Sequence, residues 1–193
     1  MEQSLNKKLL PEAEIMIKRY NVSDSLLKSF RKFAIAFLLF DYIIFFVAYT
    51  YMAPIYMLQF LTEWSCLLTT LYFISTLQQT KTPRQMSIFF HICLSAEFLV
   101  VIFYWVVIFR SAILNNFLDL YLAITKHSFP FLFLIIDYIL NSTKLEWGSI
   151  KYCLYFMLVY LFNNFLFMYV FEINIYKVIT WKGKLNRPLE LCL

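Results

Sequence analysis

The sequence predicts an all-α membrane protein, a polytopic helical bundle with about five transmembrane helices. Hydrophobic residues make up 62% and aromatic residues 21% of its 193 residues, and only 15% are charged. Soluble domains contain about 25% charged residues. Long apolar stretches recur along the chain, and each approaches the roughly 20 residues that a helix needs to cross a bilayer. With no sequence repeat and no Gly/Ser-rich linker, the chain is predicted to be one continuous unit.

The first 32 residues are predicted to form a polar, basic N-terminal tail with an amphipathic helix, which precedes the first apolar stretch. Pro11 and Glu12 occur in the order typical of a helix start. Ser23 or Asp24 is placed to cap a helix that runs into the first span. Because a cleaved transit peptide is normally poor in acidic residues and this tail contains several, we expect the tail to belong to the mature protein.

The apolar segments then follow in order and define a transmembrane bundle over residues 33–171. A tight turn at Pro54 separates spans 1 and 2, and a hinge around Arg110 separates spans 3 and 4. Residues 172–193 form a C-terminal tail. Spans 1 to 5 are predicted at residues 33–52, 55–77, 87–109, 117–140 and 150–171.

Lysine and arginine lie mainly in the segments that flank the spans. Seven are in the N-terminal tail, and others are in the loops between spans 2 and 3 and between spans 4 and 5. Under the positive-inside rule these three segments share the cytosolic or matrix side. With five spans, the C-terminal tail lies on the other side of the membrane from these three segments, although it is also basic. The net charge of +5 is therefore interpreted as contacts with lipid headgroups, and no nucleic-acid partner is expected.

Six acidic or histidine residues inside the predicted spans are candidates for interior polar groups. Such residues normally face the bundle interior and have a partner, because a charge at the bilayer centre costs about 2.5–3.5 kcal/mol or more. The alternative for those near span ends is interfacial water or a neighbouring subunit, and for Glu97 it is a neutral, hydrogen-bonded carboxylic acid. The six residues are Asp41, Glu63, His91, Glu97, His127 and Asp137.

No metal and no other cofactor is expected. His91 and Glu97, with Glu63 and His127, have the right side chains for a metal site, but a separation of six does not place His91 and Glu97 on one helix face. The four cysteines lack disulfide or metal-ligand spacing. Three of them lie in apolar stretches, where we expect them to be packing residues.

Thr62 and His127 are predicted to lie at a similar depth. Spans 2 and 4 enter from the same side, and at about 1.5 Å rise per residue the two residues lie roughly 10 and 15 Å into them. A hydroxyl within reach of a neutral imidazole is the minimum pair for nucleophilic attack on an ester. The alternative is that the Thr62 hydroxyl donates to a backbone carbonyl oxygen of its own helix.

Two segments resemble the androgen-induced family of polytopic threonine hydrolases, which cleave fatty acid esters of hydroxy fatty acids within the membrane. They are QFLTEW (59–64) and NFLDLYLAITKHSFPFLFLIID (116–137). The resemblance implies that Thr62 is the nucleophile and His127 the general base, and Asp137 matches the family's acid ten residues after the histidine. A looser likeness extends to NIYKVITW (174–181). The family usually has six spans, and the sixth is not predicted here.

Two functions remain open at this point. One is an intramembrane threonine hydrolase of lipid esters, and the other is a non-catalytic accessory subunit of a large membrane complex. The chain's 22 Phe and 14 Tyr present more large apolar surface than five helices bury among themselves. The lipid bilayer and other membrane subunits are therefore the expected partners. A transporter is less favoured, because the spans lack unwound Gly/Pro pairs.

The compartment is inferred from composition. Abundant Phe, Tyr, Ile, Asn and Lys are typical of an AT-rich genome, as in protists whose respiratory complexes carry many extra subunits. This association favours the mitochondrial inner membrane. The endoplasmic reticulum and the plasma membrane are the alternatives.

Overall fold

The protein is helical throughout the part of the chain that the structure describes. A computed structural model describes residues 23–49, 59–79, 81–109, 116–141 and 147–171. This confirms the all-α class. The helices are α1 (Asp24–Ala48), α2 (Leu61–Gln78), α3 (Pro83–Ile102), α4 (Phe117–Leu140) and α5 (Ile150–Phe171). A π-helical segment, Phe103–Ile108, continues α3, and a 3-10 turn, Trp147–Ser149, leads into α5.

Polar capping residues set the helix starts. The Ser23 hydroxyl accepts a hydrogen bond from the backbone N–H of Leu26 at 3.2 Å, which confirms the predicted cap. α1 therefore begins inside the segment that the sequence assigns to the polar tail. Thr82 and Gln85 form a capping box at the start of α3, in which each side chain accepts from the other residue's backbone N–H.

The helix bounds agree with the predicted spans for α3, α4 and α5 and differ by several residues for α1 and α2. α4 and α5 cover the same residues as predicted spans 4 and 5, and α3 with its π-helical continuation covers span 3. α2 begins at Leu61, later than the predicted start of span 2. The predictions for Pro11, Pro54, Arg110, Cys192 and the C-terminal tail lie outside the described residues.

Three of the described helical segments are long and apolar enough to cross a membrane. They are Pro83–Ile108, Phe117–Leu140 and Trp147–Val170. α1 and α2 contain more polar and charged residues, and their assignment as spans stays a prediction.

Helices α1 to α4 form a four-helix bundle, and α5 lies outside it. α2 contacts α1, α3 and α4, and α1 also contacts α4, whereas α5 packs mainly on α3. Cys66 and Cys93 are buried in the bundle core, as expected for packing residues. The buried core consists of Ala34, Leu38, Cys66, Tyr72, Phe73, Met86, Phe90, Cys93, Phe133 and Leu134.

Candidate functional site

The predicted pair, Thr62 and His127, lies on α2 and α4. Both side chains are half-buried. Nδ1 of His127 lies 2.9 Å from the carbonyl oxygen of Ala123, and its ring stacks on Tyr104 with centroids 3.5 Å apart. Within the described residues, no hydrogen bond joins Thr62 to His127. Their catalytic roles therefore stay a prediction.

The residues next to this pair form a buried ion pair. Nζ of Lys126 donates to Oε1 and Oε2 of Glu63 at 2.7 and 3.0 Å. The ammonium group also lies 3.9 Å from the ring centroid of Phe45 and 4.4 Å from that of Tyr42, within the range of cation–π attraction. Because Lys126 precedes His127 and Glu63 follows Thr62, this contact agrees with the predicted common depth.

Asp41 belongs to the same polar layer. Its Oδ1 accepts a hydrogen bond from Oγ1 of Thr125 at 2.6 Å, and its side chain is almost completely buried. The Tyr42 hydroxyl donates to the carbonyl oxygen of Glu63 at 2.7 Å. We refer to Asp41, Glu63, Thr125 and Lys126 as the Lys126 cluster; it joins α1, α2 and α4.

A second buried layer joins the same three helices. Nε and Nη2 of Arg31 donate to Oδ1 and Oδ2 of Asp137 at 2.7 and 3.3 Å. The Tyr72 hydroxyl donates to Oδ2 at 2.7 Å. We call Arg31, Tyr72 and Asp137 the Arg31 cluster. Lys126 and Asp137 are eleven positions apart on α4, which places the two clusters about 16 Å apart along that helix.

The alternative that Asp41 and Asp137 reach interfacial water or a neighbouring subunit is wrong. Asp41 is 2% exposed and Asp137 is fully buried, and both have donors inside the bundle. The physical reason is that neighbouring helices supply hydrogen-bond donors to both carboxyl groups, which satisfies them inside the bundle.

Glu97 on α3 is fully buried between the two layers. Its Oε1 accepts from Oγ1 of Thr69 at 3.1 Å. Its Oε2 is buried and has no hydrogen-bond partner among the described residues. Thr69 lies between Glu63 and Tyr72 along α2, so Glu97 connects to α2 at an intermediate level.

The sequence interpretation does not identify the two buried cations of the bundle. Arg31 falls in the predicted tail, within the helix that the Ser23 cap predicts. Lys126 lies inside an apolar span, where a lysine is itself a signal for a buried partner. Neither pairing was predicted.

In the described ranges, no group of three His, Cys, Asp or Glu side chains could hold a metal ion. A surface cavity of about 230 Å³ opens near the start of α3, and it is lined by Lys81, Gln85, Ile88, Phe89 and Ile92. These residues do not belong to the predicted pair.

Comparisons with family models, curated proteins and solved structures find no match. The resemblance to the androgen-induced family stays a prediction carried by the two segments around Thr62 and His127.

Proposed function

We propose that the chain is a non-catalytic accessory subunit of a larger membrane complex. The observation that carries this proposal is the exposure of α5. Only 11% of the most apolar 18-residue stretch of this helix is buried. The corresponding stretches of Pro83–Ile108 and Phe117–Leu140 are 39% and 44% buried. A whole apolar helix thus lies on the outside of the bundle, where it is available to other membrane subunits.

The surface of α5 supports a protein partner because it presents large aromatic rings. Tyr155 and Phe162 are each 66% exposed, and Tyr169 is 62% exposed. Aromatic residues are enriched at protein interfaces, where they supply most of the binding free energy at low conformational cost. Tyr155 lies about 7.5 Å into α5, below the helix end where a tyrosine facing lipid is normally found.

The interior of the bundle supports a structural role. The two ion-pair clusters cross-link α1, α2 and α4, and Thr69 and Glu97 link α2 to α3. Buried ion pairs add little net stability, and their best-attested use is to specify one arrangement of the helices. A rigid bundle that presents α5 on one side is the form expected of an accessory subunit.

The proposed compartment is the mitochondrial inner membrane, with the endoplasmic reticulum and plasma membrane as alternatives. It is supported by the composition, which resembles that of proteins from AT-rich genomes. We expect a tagged full-length chain to remain in the mitochondrial membrane fraction after alkaline extraction. Recovery in microsomes instead would contradict this placement.

Photo-cross-linking tests the proposal directly. A photoreactive amino acid replaces Leu158 on α5 or Ile43 on α1, two positions that are each 61% exposed. Cells that express the full-length chain are irradiated, and adducts are resolved by electrophoresis. We expect discrete protein adducts from position 158 and none from position 43. Lipid adducts alone at both positions, with a monomer on native gels, would contradict an accessory subunit.

The second candidate is the intramembrane hydrolase with Thr62 as nucleophile and His127 as general base. It is favoured by one observation, the Glu63–Lys126 bond, which agrees with a common depth for the two residues. A fluorophosphonate probe separates the candidates. An accessory subunit remains unlabelled, whereas a hydrolase is labelled and loses the label in Thr62→Ala and His127→Ala.

A further inference from the structure

The four-helix bundle buries more acidic side chains than basic ones. The described interior contains two buried cations, Arg31 and Lys126, and four carboxyl groups. Arg31 bonds to Asp137 and Lys126 bonds to Glu63. Two carboxyl groups, those of Asp41 and Glu97, are left without a lysine or arginine in bonding contact. Because isolated buried charges are very unfavourable, the surplus carboxyl groups are the places where the interior can hold protons.

Glu97 differs from Asp41 in its hydrogen bonds. Asp41 receives a short bond from Thr125 and lies near the Lys126 charge. Glu97 receives one bond from Thr69 at 3.1 Å, and its other oxygen is bare although it is fully buried. Burial of an oxygen without a hydrogen-bond partner costs more free energy in a carboxylate than in a carboxylic acid, because the acid carries no net charge.

Charged and titratable groups face Glu97 from several helices. α2 contributes Glu63 and Cys66, and α3 contributes Cys93. α1 contributes Tyr42, and α4 contributes Lys126. From α5, Cys153 lies near Cys93. Lys126 is the one cation in this set, and it is already bonded to Glu63.

Hydroxyl groups line the face of α2 that meets Glu97. Thr62, Ser65, Thr69 and Tyr72 occur at spacings of three and four, which place them along one helix face about 5–6 Å apart at Cβ. Tyr72 donates to Asp137 and Thr69 donates to Glu97. The Ser65 hydroxyl lies near the Glu97 carboxyl. It donates to the carbonyl oxygen of Thr62 at 3.1 Å. We call these four residues the α2 hydroxyl column.

We propose that Glu97 is a proton-binding site in the bundle interior, which takes up and releases a proton through the α2 hydroxyl column. In the loaded state Oε2 carries the proton and the carboxyl group is neutral. On release, the proton passes along the α2 hydroxyl column to bulk water, and the carboxylate left behind keeps the bond from Thr69.

A hydrophobic carbodiimide, dicyclohexylcarbodiimide, tests the loaded state. It reacts with the acid form: the carboxyl proton moves to one carbodiimide nitrogen while the oxygen adds to the central carbon. An acyl shift to nitrogen then gives a stable acylurea, so the peptide gains the full mass of the reagent. Labelling is performed on the full-length chain in its own membrane, and the modified peptide is located by mass spectrometry.

We expect one modified carboxyl group, Glu97, and less modification as the pH is raised. Glu63 and Asp137 should remain unmodified, because each already bonds to a buried cation. The Glu97→Gln variant should lose the label, and Glu97→Asp should retain it. Equal labelling of Glu63 or Asp137 would overturn the proposal. Protection of Glu97 by sodium ions would also overturn it, by identifying a cation site.

Infrared difference spectroscopy is a second test, for use if the reagent cannot reach Glu97. A carboxylic acid shows a carbonyl band that shifts in deuterated water if its proton exchanges. We expect this band in the unmodified protein and its loss in Glu97→Gln. A protein that shows neither the exchanging band nor the label has no proton site at Glu97.

Discussion

At the scale of single residues, the buried polar groups of this protein act as pairs between helices. Every ion pair among the described residues joins positions far apart in sequence, 106 residues for Arg31 and Asp137 and 63 for Glu63 and Lys126. Removal of one partner leaves the other charge buried without compensation. Such changes are expected to be more damaging than any exposed substitution.

Lys126→Met tests the Lys126 cluster. It leaves the Glu63 carboxyl group buried without its cation, and we expect a loss of about 3–5 kcal/mol in the free energy of unfolding. Thermal unfolding of the detergent-solubilised protein measures this as a lower midpoint. Exposed Lys151→Met serves as the matched control and should leave the midpoint unchanged. If Lys126→Met unfolds like the control, the buried ion pair does not exist.

Tyr72→Phe tests the Arg31 cluster with the loss of one hydroxyl group. Its bond to Asp137 is a 2.7 Å contact to a charged acceptor, and such bonds contribute about 1.5–3 kcal/mol. We expect a measurable fall in the thermal midpoint. Tyr155→Phe removes the same atom from an exposed tyrosine of α5 and should have no effect. Equal midpoints for the two variants would contradict the assigned role of Tyr72.

At the scale of helices, local sequence signals locate the ends well. The bounds of α4 and α5 match the predicted spans, and Ser23 caps α1 as predicted. These features depend on residues within one or two turns of each other, and for that reason they can be predicted from sequence. Arg31 lies in α1, which continues back through the basic segment to its cap at Ser23, as the predicted cap implies.

The capping box of α3 gives a prediction at this scale. Thr82→Ala removes the acceptor for the backbone N–H of Gln85, and we expect it to destabilise the protein by about 1 kcal/mol. Thr82→Ser keeps the oxygen and should unfold like the unmodified protein. Both variants are compared by thermal unfolding in the same detergent. A serine variant as unstable as the alanine variant would mean that the cap does not stabilise α3.

At the scale of the whole molecule, the two ionic clusters establish the relative directions of the helices. Glu63 and Lys126 lie nearer the starts of α2 and α4, and Tyr72 and Asp137 lie nearer their ends. α2 and α4 therefore run parallel, as the span count predicts. α1 runs antiparallel to them, because its Arg31 bonds near their ends and its Tyr42 bonds near the start of α2.

Thiol accessibility tests the predicted orientation of the whole chain. Lys81 before α3 and Phe117 at the start of α4 are both exposed and are predicted on opposite sides of the membrane. In a variant without native cysteines, Lys81→Cys should react with a membrane-impermeant maleimide only from the cytosolic or matrix side. Phe117→Cys should react only from the other side. Reaction of both from one side would contradict the predicted crossings.

The amino-acid order was sufficient to predict the all-α class, the number of long helices and most of their bounds, because composition, apolar length and caps act locally. It also selected all four buried acidic residues as interior candidates. It did not identify their partners. Which side chains meet depends on which helices are neighbours and how each is rotated about its axis, and small changes in crossing geometry alter both. The assembled bundle therefore showed that Asp137 bonds to Arg31 and Tyr72, that Lys126 holds Glu63, and that Glu97 keeps one bare oxygen.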